Sequence, residues 1–340
     1  MGKCLMGSSP TYYLHVGQPK TGTTFLQSLL REHRAALTAD GVLYPSLGKY
    51  GRFLAALDGR DKRTYRGRSF DSEGKWARFV SVTSDFAGQV VFSHELMGAP
   101  RQAQQPTSLR ELEGFDVHII VTARDPGRQI PSCWQQSLRH GGTASLEEYV
   151  DAVVSSGRLA GQPLESLLAN WAHHLPAQRI HLVTVPPVGS SPAELWRRFC
   201  TVIGADSTRY RVPAHVRSNT SLGVDQLELL RRVNVAAASR LDRDQHRKLV
   251  RRLYALNVLP TTPTSARPVL PRSMTHVAER MADNWISSIS EHGYDVVGDL
   301  DDLRPRVPEF EPDSWDADRA LSASAEATVD LLLASAGRSR

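Results

Sequence analysis

An α/β architecture, a parallel sheet held between two layers of helices, is what this chain predicts, on three observations. Four short runs are almost wholly apolar: residues 12–16, 89–93, 117–123 and 180–185. Segments of helical periodicity separate them, so each strand is to be buried on both faces, as parallel strands are. The first run also passes directly into a glycine-bounded loop that opens an amphipathic helix bearing Phe25, Leu26, Leu29 and Leu30.

In chain order, that helix is expected over 24–37. Residues 46–75, rich in Gly, Arg, Asp and Ser, read as an excursion from the core. A helix over 75–86 leads into the strand at 89–93, and the strand at 117–123 precedes a helix carrying Ser132, Trp134 and Gln135. Ser145-Leu146-Glu147-Glu148 is a capping box that starts a helix to about residue 154. A further helix carries Leu167 and Trp171. After the strand at 180–185, Ser191-Pro192-Ala193-Glu194 opens another, with proline at its first position. Helices over 224–238 and 243–255 follow, and Pro260, Pro263, Pro268 and Pro271 then mark a wrapped loop. A helix over 273–292 capped by Ser273, a short strand with a turn at 294–300 and a helix over 322–336 complete the chain. The expected organisation is one α/β domain over 1–255 with an insertion at 46–75, and a helical C-terminal extension over 256–340 packed on the same domain.

Composition narrows the function classes. Hydrophobic residues make up 41% of the 340, ample for a core. No apolar run reaches the roughly 18 residues of a membrane helix, and the first ten residues lack a secretory pattern. A cytoplasmic protein without membrane insertion is expected, and the low lysine and high arginine content suits a GC-rich bacterial source. The formal charge of +5 fits an anionic ligand but not nucleic acid. The basic residues between Arg52 and Arg78 carry no stacking aromatics and are interleaved with Asp58, Asp61, Asp71 and Glu73. Cys4, Cys133 and Cys200 form neither a disulfide framework nor a metal-ligand spacing. His15 inside the first strand reads as a satisfied core residue, and His173-His174 as an exposed pair.

The loop at 17–24 is the informative stretch. A strand–loop–helix turn leaves backbone N–H groups unpaired at a helix N-terminus, an anion site before any side chain is considered. The spacing Gly17-x4-Gly22 copies the cradle of nucleoside triphosphatases, but Thr23 occupies the place where that motif needs lysine, and the loop's lysine is Lys20.

Pro19-Lys20-Thr21-Gly22-Thr23-Thr24 resembles the 5'-phosphosulfate loop of sulfotransferases that use 3'-phosphoadenosine 5'-phosphosulfate (PAPS). A second motif lies about a hundred residues on: the strand at 117–123 ends in Arg124-Asp125-Pro126, with Ser132 eight positions after Arg124. It resembles the family's 3'-phosphate element, in which an arginine at a strand end and a serine in the next helix hold the 3'-phosphate. The resemblance, to bacterial-type members, spans roughly residues 12–224. It implies a three-layer P-loop-like fold, PAPS as co-substrate with no metal required, and an acceptor hydroxyl or amine on a small molecule, carbohydrate or lipid. It implies donor contacts from Gly17, Pro19, Lys20, Thr21, Gly22, Thr23, Thr24, Arg124 and Ser132. Arg217-Ser218-Asn219 stands where cytosolic members carry Arg-Lys-Gly, and it makes Arg217 a further candidate. The family also tends to place acceptor-binding pieces in an insertion such as 46–75.

Sulfuryl transfer moves a singly charged group, so a positioned cation at the departing phosphate serves where triphosphate enzymes use magnesium. Lys20 and the loop amides can supply that charge. Arg124 offers a planar fork for a phosphate monoester. For the base, the strand at 89–93 ends in His94-Glu95. Histidine titrates near operating pH, glutamate could act if desolvated, and neighbours on an extended strand point to opposite faces, so either residue is a candidate. Two other classes stay open: a P-loop kinase or triphosphatase, and a nucleotide-binding protein of the same fold without catalysis.

Overall fold

The computed structural model describes residues 9–65, 67–98, 105–157, 159, 163–213, 221–262, 265–306 and 315–336. Its elements in chain order begin with β1 (Thr11–His15), α1 (Thr23–Glu32), α2 (Arg34–Ala39), β2 (Val42–Leu43) and α3 (Gly48–Asp58). A hairpin, β3 (Thr64–Tyr65) with β4 (Arg68–Ser69), precedes α4 (Lys75–Ser81), β5 (Gln89–Ser93), α5 (Thr107–Arg110) and β6 (Asp116–Ala123). Then come α6 (Pro126–Arg139), α7 (Leu146–Ser156), α8 (Leu164–Ala172), β7 (Ile180–Thr184), α9 (Pro192–Val202) and α10 (Val224–Ala237). The remainder is α11 (Arg243–His246), widening to π geometry over Arg247–Val258, then α12 (Thr275–His292), β8 (Asp295–Val297) and α13 (Ala317–Ala336).

Two compact units interleave along the sequence: residues 1–125, 160–217 and 282–304 form one, and 126–159, 218–281 and 305–340 the other. Residues 218–255 and 256–281 therefore share a unit, while 282–304, expected within a helical extension, supplies β8 to the sheet.

The first unit is built on a six-stranded sheet of order β2-β5-β1-β6-β7-β8, parallel at every pairing. This is the expected α/β class, helices flanking a central parallel sheet. The period-2 alternation of strand side chains divides the apolar residues between two faces. Tyr13, Val91, Ile120 and Val183 pack with Leu26, Leu29, Trp196 and Phe199 of α1 and α9. Tyr12 and Phe92 face the other way, onto Phe79 and Trp76 of α4. At the amino edge, Asp116, His118, His181 and Asp295 form a side-chain chain across β6, β7 and β8, with contacts of 3.2, 2.7 and 2.6 Å.

Two expectations need correction, at His33 and at Ser273. The helix expected over 24–37 breaks at His33, whose backbone leaves helical values (φ −97°, ψ 15°), while its ring Nε2 bonds the Arg211 carbonyl at 2.8 Å. Residues 46–75, expected as an excursion between core elements, hold α3 and the β3–β4 hairpin. Buried Asp58 fastens this insertion, accepting from Arg63 Nη1 at 2.8 Å and from the Trp76 backbone at 2.9 Å. Ser273 does not cap the helix after it; a 3₁₀ turn over Arg272–Met274 leads into α12. The capping box at Ser145–Glu148 and the Ser191 cap with Pro192 form as expected.

The second unit is helical. Trp134 and Leu138 of α6, Leu227 and Leu230 of α10, Val250 and Tyr254, and Ala327 of α13 make its core. Two of its buried polar side chains, Asn234 and Asp225, are hydrogen-bonded. Asn234 Nδ2 donates to the Leu138 and Gly142 carbonyls at 2.7 and 2.8 Å, and Arg319 pairs with buried Asp225 at 2.7 Å. No helix among the described residues is long and apolar enough to cross a membrane.

The segment carrying β8 is locked in by charge. Arg198 of α9 donates to the Thr184 carbonyl at 3.0 Å and pairs with Asp302, their side chains 11% and 10% exposed. Glu194 pairs with the same guanidinium at 2.9 Å, so loss of Asp302 removes one of its two carboxylate partners. Asp302→Ala is therefore expected to lower stability by about 1.5 kcal/mol, the size of one hydrogen bond to a charged group, in urea unfolding. A change under about 0.5 kcal/mol, the size of an ordinary surface substitution, would refute this role.

Candidate functional site

The parallel sheet gathers the carboxyl ends of β1, β5 and β6 side by side, because β1 lies between the other two. The 17–24 loop, His94-Glu95 and Arg124 follow those three ends directly. Ligand sites of open α/β sheets form at this edge.

The loop is shaped by two left-handed residues. Gly22 caps α1 at φ 92°, where a side chain would be strained and its Cβ would lie 2.5 Å from Leu195. Lys20 is also left-handed at φ 68°, which costs a non-glycine residue roughly 1–3 kcal/mol and persists only where surroundings enforce it. Gly17 has no room for a side chain: a Cβ would sit 2.5 Å from Thr122 Oγ1. The first turn of α1 closes with Leu26 N–H on the Gly22 carbonyl at 3.0 Å, leaving the amides of 23–25 without intrahelical partners. Thr23 Oγ1 is buried and has no hydrogen-bond partner among the described residues. An acceptor oxygen from a bound anion would satisfy it. Pro19 is half-buried, and Thr24 lies exposed on the helix's first turn.

Beneath the loop runs a chain of polar side chains whose proton directions can be deduced. Thr21 Oγ1 donates to the Gln18 carbonyl at 2.6 Å, so in its 2.7 Å contact with Thr122 Oγ1 it must accept. Thr122, having spent its proton, accepts from His15 Nε2 at 3.3 Å. His15 Nδ1 is then the acceptor for Ser93 Oγ–H at 2.8 Å, and Ser93 Oγ accepts from Gln27 Nε2 at 3.2 Å. The relay fixes one tautomer of a neutral His15. Complete burial pulls the pKa of His15 down to about 3. His15 is thus the satisfied core residue the sequence suggested, and it also braces the loop.

Arg124 joins the two motifs. Half-buried just past β6, its Nη1 donates to the Lys20 carbonyl at 3.3 Å. A guanidinium therefore stands at the loop. Ser132 belongs to the helical unit; it lies on α6 and its Oγ donates to the Arg128 carbonyl at 2.9 Å. Arg217 lies outside the described residues.

At the end of β5, the His94 backbone N–H bonds the His15 carbonyl at 3.0 Å, fixing this residue beside β1. Its ring caps a short turn: the Leu96 amide donates to Nδ1 at 3.0 Å. Nδ1 therefore holds the lone pair, and the proton of the neutral ring sits on Nε2. Burial, and then the positive charge of Arg52, pull the pKa of His94 down to about 4. In this arrangement His94 offers an N–H donor, and it cannot take a proton at Nε2. Glu95 lies exposed in the following turn.

Sequence reasoning missed the supporting relay. Its signal was present, since His15, Ser93 and Thr122 are polar residues inside otherwise apolar strands, but only the strand register brings them together. No protein-family model matches the chain, and no curated protein matches it.

His15 makes stability depend on pH. Its folded pKa, about 3, lies below the unfolded value of 6.5, so the unfolded chain binds more protons between those limits and stability falls as pH drops through 6.5. The contribution lost between pH 7.5 and pH 5 is about 2 kcal/mol. Urea unfolding at both pH values is expected to show a loss smaller by about that amount in His15→Gln. In wild type, the His15 ring signals in NMR should stay those of neutral Nε2–H imidazole down to pH 5; titration near 6.5 would overturn the assignment.

Proposed function

We propose that this chain is a PAPS-dependent sulfotransferase. The bond from Arg124 to the Lys20 carbonyl carries the reading, since it holds a phosphate-binding fork against a lysine-bearing anion loop. Support comes from the loop itself: left-handed Lys20 and Gly22, free α1 amides and the unsatisfied Thr23 hydroxyl suit phosphate oxygens. Gly17, Pro19, Thr21 and Thr24 shape or line the same turn.

When bound, PAPS supplies the sulfuryl group: its sulfur–oxygen bond to the 5'-phosphate breaks as the acceptor oxygen bonds to sulfur, adenosine 3',5'-bisphosphate departs, and the acceptor proton passes to a protein base. The residues divide the remaining work. Lys20 and the loop amides neutralise charge at the 5' end, and Arg124 binds the 3'-phosphate, the role that the resemblance also gives to Ser132 and Arg217. His94 donates its Nε2–H toward the reacting oxygens and positions them. That leaves Glu95 at this strand end as the group able to accept the proton, a role worth about 10²- to 10⁴-fold.

Incubation with labelled PAPS and a panel of hydroxyl and amine acceptors, followed by mass spectrometry, is expected to yield a sulfated product. Lys20→Ala should abolish transfer with the fold intact. His94→Gln, which keeps an N–H donor near the Nε2 position, should retain more activity than Glu95→Gln. Full activity in Lys20→Ala, or magnesium-dependent ATP turnover in place of sulfation, would overturn the reading; equal losses in the other two variants would return the proton to His94.

A further inference from the structure

A second group of cations adjoins the His94 end of the sheet, apart from the Lys20 loop and Arg124. Tyr44 follows β2, the strand paired with β5. The guanidinium of Arg52 from α3 lies 4.1 Å from the centre of the Tyr44 ring, and that of Arg34 from α2 lies 5.9 Å away. Arg31, in the last turn of α1, adds a third charge felt by the tyrosine hydroxyl.

Among the described residues, every hydrogen bond these arginines make goes to a neutral oxygen. Arg34 Nε donates to the Tyr44 carbonyl at 2.9 Å, Arg52 Nη2 to the Pro45 carbonyl at 2.7 Å, and Arg31 Nη2 to Ser28 Oγ at 2.9 Å. Among the described residues no carboxylate forms an ion pair with any of the three. Tyr44 is fully buried, and its hydroxyl has no hydrogen-bond partner among the described residues. Burial lowers the pKa of Arg52; Tyr44 acts against that shift, and the Arg34 and Arg31 charges add to it. Unbalanced like charges around an unsatisfied buried hydroxyl are unfavourable in the protein alone, and one bound anion relieves both defects.

The neighbouring wall is aromatic. Phe53, next to Arg52 on α3, packs 6.2 Å from the His94 ring, with Phe70 at 4.9 Å and Tyr65 at 5.7 Å edge-on to it. Arg60, also on the insertion and half-buried, donates to the Leu96 carbonyl at 2.7 Å within the turn that His94 caps.

We infer that the acceptor is a hydroxylated aromatic or alicyclic ring bearing an anionic group. Its ring packs on Phe53, Tyr65 and Phe70, its anion is held by Arg52 and the Tyr44 hydroxyl, and its hydroxyl faces His94. This inference rests on the sulfotransferase reading. Arg52 reports to both ends of the site, since its charge acts on His94 as well as on Tyr44.

Isothermal titration of the full chain, saturated with adenosine 3',5'-bisphosphate, tests it with three matched probes: 4-hydroxyphenylacetate, its neutral amide and the cationic amine tyramine. The acid is expected to bind about tenfold tighter than the amide, the size of one charge-assisted hydrogen bond, with tyramine weaker still. Arg52→Gln should erase the difference between acid and amide, and Phe53→Ala should weaken both by the same factor. Equal binding of acid and amide, absence of binding by either, or an acid preference that survives Arg52→Gln would each overturn the inference. So would displacement of the acid by the nucleotide, which would assign the arginines to the donor. Nucleotide binding is read separately on the same samples: if it is normal while the acid shows no preference, this inference fails and the sulfotransferase reading stands. If the nucleotide does not bind, the donor reading itself fails.

Discussion

An uncharged histidine in the middle of the sheet is the constraint on which the carboxyl edge depends. His15 has no exposed surface, and both of its ring nitrogens are engaged, one by Ser93 of β5 and one by Thr122 of β6. Through Thr122 it reaches Thr21, and so the turn that bears Lys20. Three adjacent strands and the first helix thus share one directional run of hydrogen bonds ending at the Gln18 carbonyl. A half-satisfied buried network would cost more than an apolar core; here each link has one donor and one acceptor, so the loop is held in register with its neighbours. That rigidity is what allows Lys20 to persist in a left-handed conformation.

The same edge shows how backbone order becomes chemistry. Because β1 lies between β5 and β6, the residues that follow all three strands are neighbours regardless of their separation in the chain. The insertion completes the surroundings of His94 from one side, with α3 presenting Arg52 and Phe53 together. Capping of the 95–97 turn by His94 has a chemical consequence: the bond that shapes the turn also decides which ring nitrogen carries the proton.

Much of this was legible in the sequence, and the reasons are physical. The strand at 89–93 was readable to the residue because buried parallel strands are continuous apolar runs with turn-forming neighbours. The Ser145 and Ser191 helix starts were readable because capping is a local hydrogen-bond pattern. The break at His33 was not, since it depends on a carbonyl at Arg211, far along the chain. Nor was α3, whose Gly48 start and charged composition mimic a loop until Asp58 is paired with Arg63 and the Trp76 amide. In the site, the residue types were readable and their relations were not. Lys20 and Arg124 announced themselves by motif, whereas the bond between them and the tautomers of His15 and His94 are products of register and packing.

The central claim is that the Lys20 loop and Arg124 together grip one adenosine carrying phosphates at both its 3' and 5' positions. Calorimetric comparison of adenosine 3',5'-bisphosphate with adenosine 5'-monophosphate tests it most directly, in wild type and in Arg124→Ala. The account predicts that the 3'-phosphate strengthens binding by about tenfold or more in wild type, and that this increment disappears in Arg124→Ala. Equal affinity for the two nucleotides in wild type, or an increment untouched by the loss of Arg124, would contradict it.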